Sequence, residues 1–357
     1  MTRYDVAIVG AGMAGAGFAA ALAGQARVLL LEAEERPGYH STGRSAAFWS
    51  ETYGGPLIQP LTSASHAALA PWLSPRGCYH IADSAGEGAL AALAEEFAGT
   101  EVMLAPLGRA DLERRLPGLR AGWDHGLSEP TCRDIDVAAF HAACLRAAGA
   151  ELVVNARLLS AERESGQWRI ATTAGAFEAD ILVNAAGAWA DAVALAAGER
   201  PLGIQPHRRT IAQLRVNPPA PADLPLIVDA AGHFYFKPEA GGRLWLSPHD
   251  ETPSDACDCA PEELDVALAI DRLEGLVDWR VEAVENKWAG LRSFAPDRLP
   301  VYGFSASGRR FFWCAGQGGF GIQTAPAASV LAAALLLGRT GGEIDPAPYA
   351  ATRFDPV

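Results

Sequence analysis

Three apolar runs, spread along the chain, each lead into a cluster of glycine and other small residues. The first run, 6–9, precedes a G-x-G-x-x-G segment at 10–15, and an Ala-rich stretch then leads to a second strand-like run at 28–31. The middle run lies within 179–190 and the last within 311–326. Apolar runs of this length predict buried strands, and the glycine clusters after them predict tight turns at which helices begin.

The first segment has the order of a dinucleotide-binding βαβ unit. Gly10 permits the tight turn, Gly12 lets the backbone approach a pyrophosphate at the helix N-terminus, and Gly15 lets the helix pack on the strand. Glu32 closes the second strand, where its carboxylate can accept hydrogen bonds from ribose hydroxyls. An acid at this position disfavours the 2′-phosphate of NADP. The segment therefore predicts a dinucleotide other than NADP, with a plain βαβ unit as the alternative.

The loop after this unit, 36–47, is rich in turn residues and ends in small residues that suit the close approach of a flat ligand. Ser41, Thr42 and Ser45 can either cap a helix or hydrogen-bond a pyrophosphate and flavin. The glycine loop within 311–326 opens the last helix, where its amides and the helix dipole can face the electron-rich edge of a flavin. We therefore interpret the three glycine segments as three walls of one flavin site.

The sequence between these walls has the pattern of short strands joined by turns. Segments at 77–82 and 208–246 predict an antiparallel sheet, with a hairpin turn at 239–242. Helices are expected at 87–98, 109–116 and 260–274, and loops at 217–225 and 249–260.

Composition narrows the classes of function. The chain has 357 residues, half of them apolar and a fifth charged, with a formal net charge of −13. No basic run occurs, which argues against a nucleic-acid partner or an anionic membrane surface. The apolar stretch 325–337 is too short for a transmembrane segment and predicts a buried helix. The sequence shows no secretory leader before the first strand, so a cytoplasmic location is expected.

The six cysteines show neither a metal-binding nor a disulfide pattern. No C-x-x-C pair occurs, and Cys257 and Cys259 have no matching ligand pair elsewhere in the sequence. Reduced thiols and no metal are therefore expected. Cys314 lies on the last predicted strand, where a buried thiol is expected, so the flavin should be bound non-covalently.

The glycine segments in this order, together with Trp288-Ala289-Gly290-Leu291-Arg292-Ser293-Phe294, resemble the D-amino-acid oxidase superfamily of flavoproteins over nearly the whole chain. The strings at 37–47, 184–189 and 316–324 are especially similar to the D-arginine dehydrogenase branch. The resemblance implies FAD as cofactor. It also implies a two-domain α/β fold, in which a mixed or antiparallel sheet that binds the substrate caps a Rossmann-like FAD-binding domain.

Because the cofactor segments are dispersed, the two domains must interleave. The FAD-binding domain is expected at 1–76, 137–205 and 288–357, and the substrate-binding domain at 77–136 and 206–287. The implied FAD contacts, besides those already named, are Ala14, Ala33, Arg44, Ala46, Ala47, Ala186, Gly187, Trp189, Gly290, Arg292, Gly316, Gly318, Gly319, Gly321, Ile322 and Gln323.

The resemblance also implies a set of residues that hold the substrate. Two arginines, here Arg209 and Arg292, and Tyr235 are the positions that clamp the substrate carboxylate in the D-arginine dehydrogenase branch. A planar guanidinium makes two charge-assisted hydrogen bonds to a carboxylate, each worth about 1.5 to 3 kcal/mol. The neighbouring Arg208, which points to the other face of the strand, is the alternative to Arg209. The remaining implied active-site positions are Tyr53, Gly319 and Gln323.

Two departures from that branch change the expected substrate. Phe48 stands where the branch has an active-site histidine, and the strand at 77–80 lacks the glutamate that pairs with a cationic side chain. A buried cation without that partner costs about 3 to 5 kcal/mol, so D-arginine is a poor substrate. Phe48 and Leu226 instead predict an apolar side-chain pocket, in which His80 can supply some polarity. Neutral or aromatic D-amino acids are therefore expected.

The reaction implied is oxidative deamination, in which a hydride passes from Cα to flavin N5 and the resulting imine is hydrolysed to a 2-oxo acid. The alternatives are oxidation of glycine, an N-methyl amino acid or another secondary amine, a 2-hydroxy-acid dehydrogenase, and a flavoprotein without catalytic activity. The substrate partner is a small amino acid. The electron acceptor stays open between dioxygen and a quinone-like carrier.

Overall fold

The computed structural model describes residues 3–340 and 342–355. The helices are α1 (Met13–Ala21), α2 (Gln59–Leu69), α3 (Glu87–Glu96), α4 (Arg109–Arg115), α5 (Val137–Ala148), α6 (Ala190–Ala196), α7 (Glu263–Leu276) and α8 (Ala325–Leu336). Short 3₁₀ helices lie at Ala70–Trp72, Gly187–Trp189, Ala347–Tyr349 and Ala351–Phe354. Among these helices, none has both the length and the apolar character needed to cross a membrane.

The strands of the described residues are numbered in chain order. They are β1 (Arg3–Val9), β2 (Val28–Leu31), β3 (Phe48–Trp49), β4 (Leu73–Pro75), β5 (Cys78–Ala82), β6 (Ala105–Gly108), β7 (His125–Glu129), β8 (Arg133–Ile135), β9 (Glu151–Val153), β10 (Leu158–Glu164), β11 (Gln167–Thr172), β12 (Gly175–Asn184), β13 (Gln205–Asn217), β14 (Leu226–Asp229), β15 (Tyr235–Glu239), β16 (Arg243–Ser247), β17 (Thr252–Pro253), β18 (Arg280–Phe294), β19 (Val301–Phe304), β20 (Phe311–Ala315) and β21 (Gln317–Gly318).

The three apolar runs of the sequence lie side by side in one sheet. Its strand order is β10-β11-β12-β1-β2-β9, with β20 paired to β12 and β19 to β20. Strands β2, β1, β12 and β20 run parallel, so the turns that follow them meet at one edge of the sheet. Buried residues cover both faces of these strands, as expected for a parallel sheet packed on both sides. The glycine clusters are therefore brought together by the sheet topology.

A second sheet of ten strands carries the substrate-binding candidates. Its order is β21-β18-β13-β16-β15-β14-β5-β7-β6, with β17 paired to β13. The hairpin predicted around 239–242 is the β15–β16 hairpin, and the predicted helices correspond to α3, α4 and α7. Antiparallel β13 and β18 pair along almost their whole length, which places Arg209 opposite Gly290. This ladder fixes the two arginine-bearing strands next to each other.

The expected domain boundaries run through continuous structure. β18 crosses the boundary expected at 287–288, and Gly290 and Arg292 lie on this strand of the ten-stranded sheet. A three-stranded sheet, β3-β8-β4, likewise joins segments that were assigned to different domains. A long antiparallel strand keeps the same sequence pattern across such a boundary, so no local signal marks it. The two units are interleaved through shared sheets.

Candidate active site

An elongated cavity of about 350 Å³ runs between the two sheets. One part of it is lined by the glycine turns and the 38–47 loop, and another by the aromatic and arginine side chains of the second sheet. All seven predicted substrate-site residues line it: Phe48, Tyr53, Arg209, Tyr235, Arg292, Gly319 and Gln323. The predicted cofactor and substrate residues therefore border one continuous space.

The first glycine turn has the geometry that its sequence predicts. Gly10 has a φ of +101°, and a Cβ there would meet the carbonyl of Ala185, so only glycine suits this position. Gly15 lies so close to the carbonyl of Gly10 that a Cβ at this position would collide with it. The carboxylate of Glu32 accepts hydrogen bonds from the amides of Ala11 and Glu34, both at 3.0 Å. These contacts hold the turn open at the N-terminus of α1, where a pyrophosphate is favoured.

The loop that follows is tied to the protein through its polar side chains. Thr42 Oγ1 accepts a hydrogen bond from the Met13 amide at 2.9 Å and so caps α1. Ser41 donates to the carbonyl of Leu291 at 2.5 Å. Arg44 donates to Asp258 at 2.5 Å and to the carbonyl of Ala289 at 3.1 Å. The loop is therefore anchored to β18 while its small residues face the cavity.

Almost every predicted cofactor contact lines the cavity. The two exceptions are Gly15 and Gly316, which lie behind the wall. Gly15 is needed for helix packing, and Gly316 has a φ of +71° at a turn that packs against Ala295. Both glycines support the cradle through the backbone instead of lining it. Lining residues that the sequence reasoning missed include Met13, Glu34, Tyr39, His40, Arg157 and Gln317.

Arg209 and Arg292 converge at the part of the cavity formed by the second sheet. Arg292 Nη2 donates a hydrogen bond to the hydroxyl of Tyr53. Arg292 Nη1 lies 3.4 Å from Glu251 Oε1, and Arg209 Nη2 lies 3.8 Å from the same oxygen. The buried Nε of Arg292 has no hydrogen-bond partner within 3–340 or 342–355. Among the described residues, Arg209 donates a hydrogen bond through Nε alone, so its Nη groups retain capacity to bind an anion.

The structure distinguishes Arg209 from its neighbour. Arg208 points to the opposite face of β13, where its guanidinium pairs with Asp250 at 3.2 Å, Glu262 at 3.0 Å and Asp265 at 2.7 Å. Arg209 is 8% exposed and lines the cavity. The alternative in which Arg208 faces the site is therefore wrong, because its three carboxylate partners hold it on the outer face.

The electrostatic environment favours a bound anion. Burial lowers the pKa of Arg209, and the positive charge of Arg292 lowers it further. Burial, followed by the charges of Arg209 and Arg292, lowers the pKa of His249 to about 3, so this imidazole is neutral near pH 7. Burial raises the pKa of Tyr235, which keeps its hydroxyl protonated. A carboxylate placed here would relieve the repulsion between the two guanidinium groups.

A second, smaller cavity of about 90 Å³ adjoins the first. Phe48, Tyr53 and Tyr235 line both, and the Phe48 ring centroid lies 5.3 Å from that of Tyr53 and 6.1 Å from that of Tyr235. Its remaining walls are Ser50, Thr52, Cys78, His80, Leu93, Leu226, Val228 and His249. We call this space the side chamber. It is largely apolar, with a polar wall formed by residues 50, 52 and 80.

Glu129 lies behind this polar wall and was missed by the sequence reasoning. It is fully buried and pairs across the sheet with Cys78, on the strand where a glutamate was found to be missing. No motif around residue 129 indicates that its strand adjoins β5, so the sequence held no signal for it.

The Glu129 carboxylate is already saturated by neighbouring donors. It accepts hydrogen bonds from the hydroxyls of Ser50 at 2.9 Å and Thr52 at 2.7 Å, and from the amide of Glu51 at 2.7 Å. Burial alone would raise its pKa, but His80 and the two hydroxyls outweigh burial and lower it. Glu129 therefore remains ionised without a cationic ligand, which agrees with a side chamber for uncharged groups.

Cys78, His80 and Glu129 also have ligand atoms within 4.8 Å of one another, close enough for a metal site. Burial raises the pKa of Cys78, and the nearby Cys132 and Glu129 raise it further, which opposes the thiolate that a metal needs. Because protein donors also occupy Glu129, we interpret the cluster as a hydrogen-bonded network.

Gln323 holds the segment that precedes Tyr53. Its side-chain nitrogen donates to the carbonyl of Tyr53 at 3.0 Å and to Thr62 Oγ1 at 2.9 Å, and its oxygen accepts from the amide of Ser50 at 3.2 Å. Both the nitrogen and the oxygen of the Gln323 side chain are thus hydrogen-bonded to other groups of the protein. The geometry gives Gln323 a positioning role at the cavity wall.

Comparison with known families agrees with this geometry. A family model described as FAD dependent oxidoreductase, DAO, matches residues 5–335. The protein belongs to this family. The superfamily resemblance inferred from the sequence is therefore confirmed, and FAD is the cofactor. The glycine turn with its left-handed Gly10, the capped start of α1 and the lining carboxylate of Glu32 fit the phosphate and ribose groups of FAD.

Glycine oxidases are among the similar proteins. One from Pseudomonas aeruginosa is 34% identical over 189 residues, which cover 51% of this chain and 48% of the relative. The chain thus spans about half of that relative. One from Geobacillus kaustophilus is 29% identical over 98% of this chain and 97% of its own length. The crystal structure of glycine oxidase from G. kaustophilus has a TM-score of 0.85, with 26% identity and 99% of both chains covered.

Proposed function

We propose that the protein oxidises the α-amine of an amino acid, with neutral D-amino acids as its preferred substrates. The observation that carries this proposal is the convergence of Arg209 and Arg292 with the hydroxyl of Tyr53 in the FAD cavity. Two guanidinium groups beside phenolic hydroxyls suit a carboxylate. Among residues 3–340 and 342–355, Glu251 is the one carboxylate within 4 Å of either guanidinium, which leaves the cavity side for a substrate anion.

In the proposed reaction Arg209 and Arg292, which we call the clamp, hold the carboxylate and thereby set the orientation of Cα and its amine. The bound FAD supplies the two-electron acceptor. Loss of the Cα hydrogen with its electron pair to that acceptor, as the lone pair of the neutral amine forms the C=N bond, gives a protonated imine, which water hydrolyses to a 2-oxo acid and ammonium. Orientation by the protein supplies much of the rate enhancement. Phe48, Tyr53 and Tyr235 enclose the clamp and limit the entry of water.

The side chamber supports a substrate with a side chain. It opens beside the clamp through Phe48, Tyr53 and Tyr235, so a group on Cα can enter it while the carboxylate is held. Leu226 and Val228 offer apolar contact, worth about 0.8 kcal/mol for each buried methylene. Preference for the D-enantiomer rests on the resemblance of the 37–47 and 316–324 strings to D-arginine dehydrogenase.

Oxidation of glycine or an N-methyl amino acid is the second candidate. It is favoured by the similarity of the chain to the glycine oxidases from P. aeruginosa and G. kaustophilus. Such substrates also use the carboxylate clamp but leave the side chamber empty. A 2-hydroxy acid is less suited, since its hydroxyl proton needs a base and His249, with a pKa of about 3, is a weak one.

Anaerobic reduction of the purified holoenzyme tests the proposal. The flavin absorbance should bleach with neutral D-amino acids and much more slowly with their L-enantiomers. Substrate and product together separate the candidates: ammonia with a 2-oxo acid from a D-amino acid that carries a side chain supports the first. Bleaching by glycine with little bleaching by those D-amino acids, or formaldehyde from an N-methyl substrate, supports the second. A flavin that no amino acid bleaches, while dithionite does, would overturn the proposal and favour a flavoprotein without this activity.

A further inference from the structure

Glu251 is a charged residue that touches the clamp but does not line either cavity. It follows Asp250 in the loop 248–251, which we call the clamp loop. The carbonyl of Asp250 accepts a hydrogen bond from Arg209 Nε at 2.7 Å, and its carboxylate accepts from the Thr210 amide at 2.7 Å. His249 in this loop has a φ of +55° and contacts the carbonyl of Gly232 at 2.9 Å. The clamp loop is thus held firmly against β13.

Three guanidinium groups surround the Glu251 carboxylate. Its Oε1 lies 2.9 Å from Arg298 Nη2, 3.4 Å from Arg292 Nη1 and 3.8 Å from Arg209 Nη2. Only the Arg298 distance is that of a strong charge-assisted hydrogen bond. Glu251 is therefore anchored by Arg298, while Arg292 and Arg209 keep hydrogen-bonding capacity for another anion.

The negative charge of Glu251 compensates part of the positive charge of the clamp. Burial would raise the pKa of Glu251, but Arg298, Arg292 and Arg209 outweigh burial and lower it, so it is anionic. One negative charge thus faces three positive ones. Without it, the two buried arginines would repel each other with no fixed counter-ion, and any bound carboxylate would relieve a larger repulsion.

We propose that Glu251 is a resident counter-ion that sets the carboxylate affinity of the clamp. It stabilises Arg209 and Arg292 when no substrate is bound, and it weakens the binding of anions from the cavity side. This inference rests on the proposed function for its link to substrate, although it concerns anion binding by the holoenzyme itself. It predicts an effect that grows with the negative charge of the ligand.

Glu251→Gln is the direct test, since glutamine keeps the shape and an acceptor oxygen but loses the charge. Binding of propionate, malonate and propionamide to the holoenzyme is measured by perturbation of the flavin spectrum at pH 8. The dissociation constant for propionate should fall by about three- to tenfold, from one unit charge at this range of distance. The decrease should be larger for malonate and absent for propionamide.

Two further variants separate charge from structure. Glu262→Gln makes the same change in net charge on the outer face, beside Arg208, and should leave all three dissociation constants unchanged. Arg298→Gln removes a positive charge beside Glu251 and should weaken propionate binding. If substrate oxidation is observed, Glu251→Gln should lower KM for the amino acid by a similar factor and change kcat less.

The readouts separate this inference from the proposed function. A tighter, charge-dependent anion affinity in Glu251→Gln supports the inference even where no amino acid bleaches the flavin. Equal propionate affinity in wild type and Glu251→Gln, or an equal gain for propionamide, would overturn it. A wild-type holoenzyme that does not bind propionate at all would overturn the clamp and the counter-ion together.

Discussion

Gly319 lies against the guanidinium of Arg292 so closely that a Cβ there would stand 2.5 Å from Nε, with Nη2 and the Tyr53 hydroxyl nearer still. The glycine is needed for this close approach, because the backbone of the last glycine loop packs directly on the clamp. The cofactor wall and the carboxylate clamp therefore constrain each other at one residue.

Substitution of this glycine should disable the clamp. We expect Gly319→Ala to displace Arg292 and Tyr53 and to lower kcat/KM by more than tenfold, while FAD remains bound. Steady-state kinetics and the flavin absorbance of the purified protein measure the two effects. Gly88→Ala is the matched control, since a Cβ there meets nothing within 4 Å. Unchanged kinetics in Gly319→Ala would contradict the described packing.

The buried Glu129 should contribute to both stability and substrate binding. In Glu129→Gln the Glu51 amide or a hydroxyl loses its acceptor, so we expect the free energy of unfolding to fall by about 1 to 3 kcal/mol. KM should rise, because the 50–52 segment leads directly to Tyr53. Urea denaturation and kinetics measure these changes. The exposed Glu113→Gln should change the unfolding free energy by less than about 0.5 kcal/mol, and an equal effect in both variants would refute the assigned role.

The clamp should make stability depend on pH through His249. Its pKa is about 3 in the folded protein and about 6.5 when unfolded, so the folded state binds fewer protons. The free energy of unfolding should therefore fall as the pH drops below about 6.5. His249→Asn, which keeps a donor and tolerates positive φ, should lose less melting temperature between pH 7.5 and pH 5 than wild type. His125→Asn, on an exposed strand end, serves as the control, and identical pH profiles for wild type and His249→Asn would argue against the assignment.

The side chamber should decide side-chain preference. Val228→Phe places a phenyl ring in the 90 Å³ side chamber and should reduce activity toward large neutral D-amino acids by more than tenfold. Glycine, which does not enter the chamber, should be affected much less. The ratio of kcat/KM values within this one variant is the measurement, and a melting curve checks that it folds. An equal loss of kcat/KM for all substrates would contradict the binding of the substrate side chain in this chamber.

The sequence predicted the cofactor half of the molecule well because its signals are local. The turn at Gly10, the acid at Glu32 and the glycine loop at 316–321 each follow their strand directly, and strand order then brings them together. The position of Arg209 could be proposed from the resemblance, but which arginine faces the cavity depended on Asp250, Glu262 and Asp265, which pair with Arg208 from 42 or more positions away. Only the folded sheet shows which arginine is already paired.

The roles of Glu129 and Glu251 could not be predicted from the sequence because they depend on contacts with residues far away along the chain. Glu129 acquires its role from the β5–β7 ladder, and Glu251 from a loop that folds back on two strands and Arg298. The boundary expected at 287–288 falls inside β18, a continuous strand that carries no local signal at that point. Residues that act through distant partners carry no local motif.

The central claim is that Arg292 helps hold a substrate carboxylate in the FAD cavity. The direct test compares anaerobic flavin reduction by a neutral D-amino acid and by its carboxamide, in wild type and in Arg292→Ala. Wild type should prefer the acid, and Arg292→Ala should lose more than tenfold in kcat/KM for the acid but little for the amide, with FAD still bound. An acid-to-amide preference that is the same in both proteins would contradict the clamp.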